Sequence, residues 1–470
     1  MRAGSIHAWT LLLTLGPGIA AGQDTLALVG GTLIDGRGGQ PVADAALVIA
    51  AGRIVTAGPR ASVRVPPGAR TIPAQGKFII PGLMDANVHL VFGVSIEFLA
   101  RHEGRFEQVI EEAAQVALKN GLTTVFDSWG PLQPLLNVRD RIRRRETAGS
   151  RLFVAGNIIG FTGPLGRDFN GDGETRATPA FVKRINSVWE EGTGPELLWL
   201  GPDSLRAVIR TYAARGMDFL KYGVSGHVYM ETLLFSPEQQ RVIVEEGHRA
   251  GLTVQTHSTH LESLRQAIEL GVDLMQHCSI AGVSPVPRAV IDRMIARKVY
   301  CAVQPRTRKR LELDAKQPSP MPPRVPFLAM LQNADSTERR MIEAAAPLLL
   351  ATDAGVMDPD QRAQLKAEAK EDDPTELGPA HFRWLRAMVE KGMKPMDAIL
   401  AATRNVALAY RKLDDLGTLE PGKRADLLLL EADPLQDIGN VAKIALVMQD
   451  GVVIDRDALP RTRVLTVPRS

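Results

Sequence analysis

Phe78-Ile79-Ile80-Pro81-Gly82-Leu83-Met84-Asp85-Ala86-Asn87-Val88-His89 is the stretch whose reading decides the fold. An apolar run punctuated by Pro-Gly reads as a buried strand, and this one runs out into a carboxylate, an amide and an imidazole. From Pro81 onward the same text recurs, with short apolar runs alternating with amphipathic helical stretches, which is how a parallel sheet with crossover helices reads. Eight such runs are present: Phe78 to Met84, Leu122 to Phe126, Leu152 to Ala155, Phe219 to Val224, Leu252 to Thr256, Asp273 to Gln276, Val299 to Val303 and Leu348 to Thr352. Eight is the strand number of a (β/α)8 TIM barrel, an α/β fold.

The crossovers carry their own punctuation. Ser236-Pro237-Glu238-Gln239 supplies an N-cap, a first-turn proline and a capping-box glutamine, and Gly251 closes that helix. Leu261, Leu264 and Ile268 share one helical face, and Gly271 ends the helix before the next strand. Two connections exceed what a compact barrel needs, Phe161 to Pro202 and Pro305 to Asp335. Structureless loops beyond about 15 residues are uncommon unless functional or disordered, so both read as lids or as solvated decoration.

Outside the barrel the text is strand-like. Thr25 to Ile34, Ala46 to Ala57 and Thr71 to Ile80 precede it; Ala425 to Leu430 and Ile444 to Ile454, with Asp450-Gly451 as a hairpin turn, follow it. The expected organisation is a small β-sandwich module built from both chain ends, residues 23–80 and 411–470, around a barrel of residues 81–410. Ahead of it, Arg2 precedes the apolar run Thr10 to Ala20, and the small residues Ala20, Ala21 and Gly22 suit cleavage, so residues 1–22 read as a signal peptide. The run is too short for a stable membrane anchor, which leaves an exported, periplasmic or secreted protein.

A chain of 470 residues, 45% hydrophobic, has enough apolar content for a large core and two or three domains, which excludes a disordered protein. The 56 basic and 53 acidic residues give a net charge of only +3, without the footprint of a nucleic-acid binder, so the expected partner is a small-molecule substrate. A homo-oligomer is compatible with this composition. Cys278 and Cys301 are too few for a disulfide framework or a thiolate zinc site and read as buried free thiols.

In a barrel the active site lies where strands end. Strand one runs into Asn87 and His89, strand five into His257, strand six into His277 and strand eight into Asp353, while Lys221 sits inside strand four. This set of hard and borderline donors without thiolate suits one or two divalent ions, zinc among them. A lone strand histidine is more often structural than a ligand, and His102 and His248, in helical text, carry that reading. Convergence on one barrel mouth is what raises the others above it.

The text Ile79 to Asp85 with Asn87 and His89 resembles the PGLIDxHxH entry of the amidohydrolase superfamily. Phe219-Leu220-Lys221-Tyr222 resembles the strand bearing its bridging lysine, Val254 to His257 and Gly271 to His277 its two histidine strands, and Ala351 to Gly355 its strand-eight aspartate. Gly417 to Pro434 is similar to its closing β segment, and the overall spelling is nearest imidazolonepropionase-like and prolidase-like members. The resemblance implies that Lys221 is N6-carboxylated and bridges two metals, with His89 and Asp353 on the first, His257 and His277 on the second, and Asp353 shuttling the proton as a metal-activated water attacks. The plainer reading of Lys221 is a lysine paired with a carboxylate inside the barrel.

One departure stands out: the pattern has His where this chain has Asn87, and an amide oxygen is a weaker zinc donor than imidazole. Asn87 can ligate through its oxygen, leave a mononuclear site, or mark a barrel that binds a ligand without turning it over. His227 and Tyr229, after strand four, and Tyr222, beside Lys221, are substrate-binding candidates, with ordinary loop residues as the alternative. Arg306, Arg308, Lys309 and Arg310 read as an attraction for an acidic group or as a solvated face. The expected activity is hydrolysis of an amide-like C–N bond in an acylated amino acid, dipeptide or cyclic amide, with lactone or phosphoester hydrolysis and metal-dependent deamination as rivals.

Overall fold

The computed structural model describes residues 25–465, apart from 92–94, 170–172, 317–325, 357–361, 364–366, 368–369 and 371. The signal-peptide segment lies outside the described residues. Among those described, no helix is long and apolar enough to cross a membrane.

Both chain ends meet in one eight-stranded sheet. Its strands are β1 (Leu26–Leu33), β2 (Val42–Ala50), β3 (Arg53–Pro59), β4 (Arg70–Pro73) and β5 (Phe78–Pro81) from the N-terminal side, and β15 (Leu427–Leu430), β16 (Ile444–Gln449) and β17 (Val452–Val453) from the other. The run Ala46 to Ala57 is a hairpin in which Ala51 and Gly52, both at positive φ, make the turn between β2 and β3. Asp450-Gly451 makes the expected hairpin between β16 and β17, also with both residues at positive φ.

The barrel strands are β6 (Leu83–His89), β7 (Leu122–Asp127), β8 (Arg151–Val154), β9 (Phe219–Gly223), β10 (Thr253–His257), β11 (Leu274–Gln276), β12 (Tyr300–Val303) and β13 (Leu348–Leu350), with the short β14 (Ala354–Gly355) continuing past β13. They form two arcs, β6 to β8 and β9 to β13, with every pairing parallel. Ile159 closes one gap: its amide donates to the Lys221 carbonyl and its carbonyl accepts from Gly223. β14 closes the other, pairing Ala354 with Val88 and Gly355 with His89.

One boundary moves relative to the sequence reading. Phe78 to Met84 is two strands, because β5 pairs with β1 and β15 in the module while β6 pairs with β7 in the barrel. The change happens at Gly82, whose amide donates to the Asp426 carbonyl and whose Cα is pressed so closely onto Thr123 that a side chain there would collide with it. The two long connections are not structureless. The first holds helices Gly173–Arg176 and Pro179–Glu190 and a 3-10 turn at Pro195–Trp199; the second holds Arg308–Asp314 and the start of Phe327–Glu343.

The cysteines also differ from expectation, since Cys278 and Cys301 form a disulfide. β11 and β12 are paired neighbours, with Met275 opposite Cys301, and the chain turning past the end of β11 brings the Cys278 Cα to 5.9 Å from that of Cys301, within bridging range.

Alternation along the strands sorts the interior. Phe126, Phe153, Phe219 and Tyr410 fill the base of the barrel, Phe126 stacked between Phe153 at 4.8 Å and Tyr410 at 3.7 Å. Above them the inward positions turn polar with Lys221, Gln255 and Gln276, where Gln276 donates to Gln255 at 2.7 Å. The capping box on helix Pro237–Arg249 is present, with Ser236 and Gln239 bonding reciprocally, and Leu264 and Ile268 are buried on the barrel.

Candidate active site

The mouth is assembled by strand ends locked to one another. Buried Asp85 accepts from the Asn87 amide, the Thr352 amide and the Thr352 hydroxyl, the last at 2.6 Å, and so ties the end of β6 to the end of β13. Burial pushes the Asp85 carboxyl up to about 7, although the Thr352 bonds oppose the shift. The Asp353 amide then donates to the Asn87 carbonyl at 2.8 Å. His277 and Asp353 both turn into the left-handed region, at φ 60° and 58°. Left-handed backbone is strained for residues other than glycine, and the strain here turns both side chains over the barrel opening.

Four of the expected ligands come together in two pairs. His89 Nε2 lies 2.8 Å from Asp353 Oδ1, and the His257 and His277 rings are 4.7 Å apart between centroids. Burial alone would raise the Asp353 carboxyl, but His89, His277 and Lys221 hold it well below the usual carboxylate range. Burial, reinforced by Lys221 and by His227, keeps both imidazoles neutral: His277 is lowered to about 4 against the pull of Asp353, and His257, which also feels His277, is held well below the usual imidazole range. Neutral imidazole and ionised carboxylate are the forms that bind a cation.

Lys221 and Asn87 join through a residue passed over in the sequence. The Lys221 ammonium donates to Ser128 Oγ at 2.9 Å, Ser128 donates to Asn87 Oδ1, and Asn87 Nδ2 donates to Asp353 Oδ1 at 2.7 Å. Burial lowers Lys221 to about 8 against the pull of Asp353 and Asp127. Asp127 itself, pushed up to about 6 by burial, accepts from the Leu90 and Trp129 amides. The signal for Asp127, Ser128 and Trp129 was present, since they follow the second apolar run directly.

Among the described residues no three His, Cys, Asp or Glu side chains already surround one point closely enough to hold a metal ion. The donor chemistry nevertheless fits one. His257 Nε2 is buried with no hydrogen-bond partner, beside a second neutral imidazole and near an ionised carboxylate, an arrangement that is costly without a cation and favourable with one.

The substrate candidates separate. His227 reaches the mouth: its Nδ1–H donates to the Asp168 carbonyl at 2.8 Å and its ring lies 5.4 Å from His257. Tyr222 does not join it. Neighbouring strand residues face opposite ways, so Lys221 points into the barrel and Tyr222 out toward the helix layer, its hydroxyl 3.4 Å from Gln240 of helix Pro237–Arg249. Tyr229 is 44% exposed on the loop beyond, with its carbonyl accepting from Thr232. The basic cluster is largely spent internally, Arg306 and Arg310 both pairing with Asp314. His248 pairs with Asp273 at the surface of the barrel, and His102 packs on Phe98, as structural histidines do.

The mouth is walled by aromatic rings on the long loop after β8 and at the exit of β7. Phe161 lies 5.3 Å from His257, Phe169 lies 4.9 Å from His227 and stacks on Trp129 at 4.0 Å, and Trp129 stands edge-on to His89 at 5.8 Å.

Residues 78–454 match the amidohydrolase family, and they contain every one of these groups. The chain belongs to that family. Two solved structures are similar over nearly its whole length: molinate hydrolase, at 41% identity and a TM-score of 0.91, covering 95% of this chain and 98% of that one, and phenylurea hydrolase B, at 40% identity and a TM-score of 0.90, covering 95% and 100%. The ochratoxinase of Aspergillus niger is 27% identical over 431 residues, 87% of this chain and 81% of that protein. This amidohydrolase is therefore a hydrolase on a TIM barrel, acting on a small molecule, as the strand ends indicated.

Proposed function

We propose that this amidohydrolase cleaves the C–N bond of a small amide or urea bearing an aryl or similarly flat apolar group, with a divalent metal held by the mouth residues. The observation that carries the reading is the placement of Phe161, Phe169 and Trp129 directly against His89, His227 and His257, with Asp353 held on His89. Aromatic walls bind flat apolar groups in offset or edge contacts and exclude water from the reacting bond. The similarity to a phenylurea hydrolase and an ochratoxinase supports the same class over the dipeptides and cyclic amides.

His257, His277, His89 and Asp353 are the residues that would hold the ion; bound there, it supplies polarisation of the scissile carbonyl and acidification of water. Asp353, ionised and reached by His89, holds and moves the proton toward the leaving nitrogen. His227, fixed through Asp168, orients the substrate's polar end.

For Lys221 two readings stand on different observations. Its lowered pKa favours the neutral amine that takes up carbon dioxide, supporting an N6-carboxylated bridge between two metals. Its bond to Ser128 supports an unmodified lysine that orders Asn87 beside a single metal. Labelled bicarbonate and carbon NMR distinguish them, because only the first gives a carbamate signal. Export is supported by the Cys278–Cys301 disulfide, which fits an oxidising compartment, and is checked by the N-terminal sequence of the mature protein.

The deciding experiment loads the purified protein with zinc, cobalt or manganese and compares phenylureas and anilides with acylated amino acids and dipeptides. Metal-dependent turnover selective for the aryl substrates is expected. Turnover that is equal without metal, or confined to dipeptides, defeats the proposal.

A further inference from the structure

At the opposite end of the barrel a cavity of about 630 Å³ opens between the start of β8, the segment Ile142–Ala148 and the module turn Gln449–Val452. Three carboxylates face it, and each is already engaged by arginine. Asp415 meets Arg53 and Arg424, Asp450 meets Arg151 and Arg424, and Glu146 meets Arg144, all at 2.6–2.7 Å. Six cations line it: Arg143, Arg151 and Arg424 are paired with carboxylates, whereas among the described residues the side chains of Arg145, Lys412 and Arg461 have no carboxylate partner. The cavity therefore keeps an excess of positive charge after every internal pairing has been made.

Its floor is apolar. Phe153 is only 7% exposed and stacks on Phe126, while Leu416 and Ile142 complete the surface. Lys412 Nζ stands 5.1 Å from the Phe153 ring centroid, so one of the free charges sits at the edge of an aromatic face. An inorganic anion would meet the cations and leave the apolar floor in water; a neutral hydrocarbon would do the reverse.

We propose that this cavity binds a small aromatic carboxylate, its ring on the Phe153 and Leu416 surface and its carboxylate among Lys412, Arg145 and Arg461. The site is distinct from the reaction centre, because Arg151 opens β8 at its N-terminal end and the reaction groups lie at or past the C-terminal ends of their strands. It does not depend on the aryl-substrate reading.

The test uses 4-fluorobenzoate as the probe and fluorine NMR on the full chain, with the variants K412M and R145A/K412M/R461A. Saturable binding is expected to weaken about tenfold or more in the triple variant and by a smaller factor in K412M, with hydrolysis unchanged in both. Neutral 4-fluorobenzamide and inorganic sulfate should each bind about tenfold more weakly than the probe. Equal probe binding in wild type and K412M with intact far-UV circular dichroism places the probe elsewhere and overturns the proposal, whether or not the triple variant folds. Sulfate displacing the probe at equal concentration, or no saturable binding at all, overturns it too.

Discussion

At the base of the barrel Arg151 reaches both Asp426 and Asp450 while Arg424 spans Asp450 and Asp415, so the buried charges there meet their opposites. At the mouth the same fold leaves His257 Nε2 without a partner, turns His277 and Asp353 into left-handed backbone, and raises Asp85 to about 7 by burial. At the base every carboxylate that faces the cavity is paired and the end is tied to the β module; at the mouth a buried imidazole nitrogen is left unbonded beside two side chains carried on left-handed backbone. Strain and incomplete bonding persist where the surrounding structure holds them and function uses them, which is why the mouth is read as the reaction site.

The largest effect that can break this comparison is on turnover. Asp353→Asn keeps a residue that tolerates the left-handed region and keeps a hydrogen-bonding partner for His89, but removes the charge. A fall in kcat/KM of about 10³ or more is expected with thermal stability nearly unchanged. Steady-state kinetics beside a thermal melt decide it; a variant that keeps a tenth of its activity removes Asp353 from the chemistry.

At the base the effect should fall on stability instead. Arg151→Met leaves Asp426 and Asp450 short of a cation in a buried position, and breaking such a network costs about 3–5 kcal/mol. Denaturant unfolding should report that loss while metal content stays as in wild type. A variant as stable as the parent would mean that Arg424 alone satisfies the base.

How far this contrast was legible in the sequence depended on what each residue needed. His257, His277 and Asp353 were readable because a single rule, the polar residue closing an apolar strand, places each of them without knowledge of its neighbours, and Lys221 because a charged residue inside an apolar run stands out by itself. Applied to the run Leu122 to Phe126, the same rule reaches Asp127, Ser128 and Trp129. Tyr222 was misplaced because adjacency to Lys221 in sequence means opposite faces in a strand. The Cys278–Cys301 bridge and the β5–β6 boundary needed pairing information: which strands are neighbours, and which of two sheets each end of a continuous apolar run joins. Phe161 and Phe169 lay within a connection already singled out by its length, but loop length carries no direction.

A second buried imidazole sharpens the comparison from outside both ends. His381, on helix Ala380–Glu390, donates from Nε2 to the Asn120 carbonyl at 3.0 Å, has Nδ1 buried without a partner, and is lowered by burial to about 3. The unfolded chain takes up this proton near 6.5 and the folded chain refuses it, so the stability contribution is complete above 6.5 and is lost as the pH falls toward 3. Between pH 6.5 and 5 the difference amounts to about 2 kcal/mol. Melts of wild type and His381→Gln across that window should converge as the pH falls; parallel curves would show that His381 is protonated in the folded state.

His257 has the same unpartnered nitrogen, so an orphaned atom alone cannot separate a ligand from a structural histidine. What separates them is the response to a cation. In metal-free protein His257→Leu removes a buried polar group whose desolvation is uncompensated, and stability should rise by about 1 kcal/mol or stay level. Added zinc should then raise the melting temperature of wild type and of the His381→Gln variant, as a ligand bound only to the folded state must, and leave His257→Leu where it was. If zinc stabilises all three equally, the ion binds away from His257, and the mouth's missing bond is strain without a ligand to explain it.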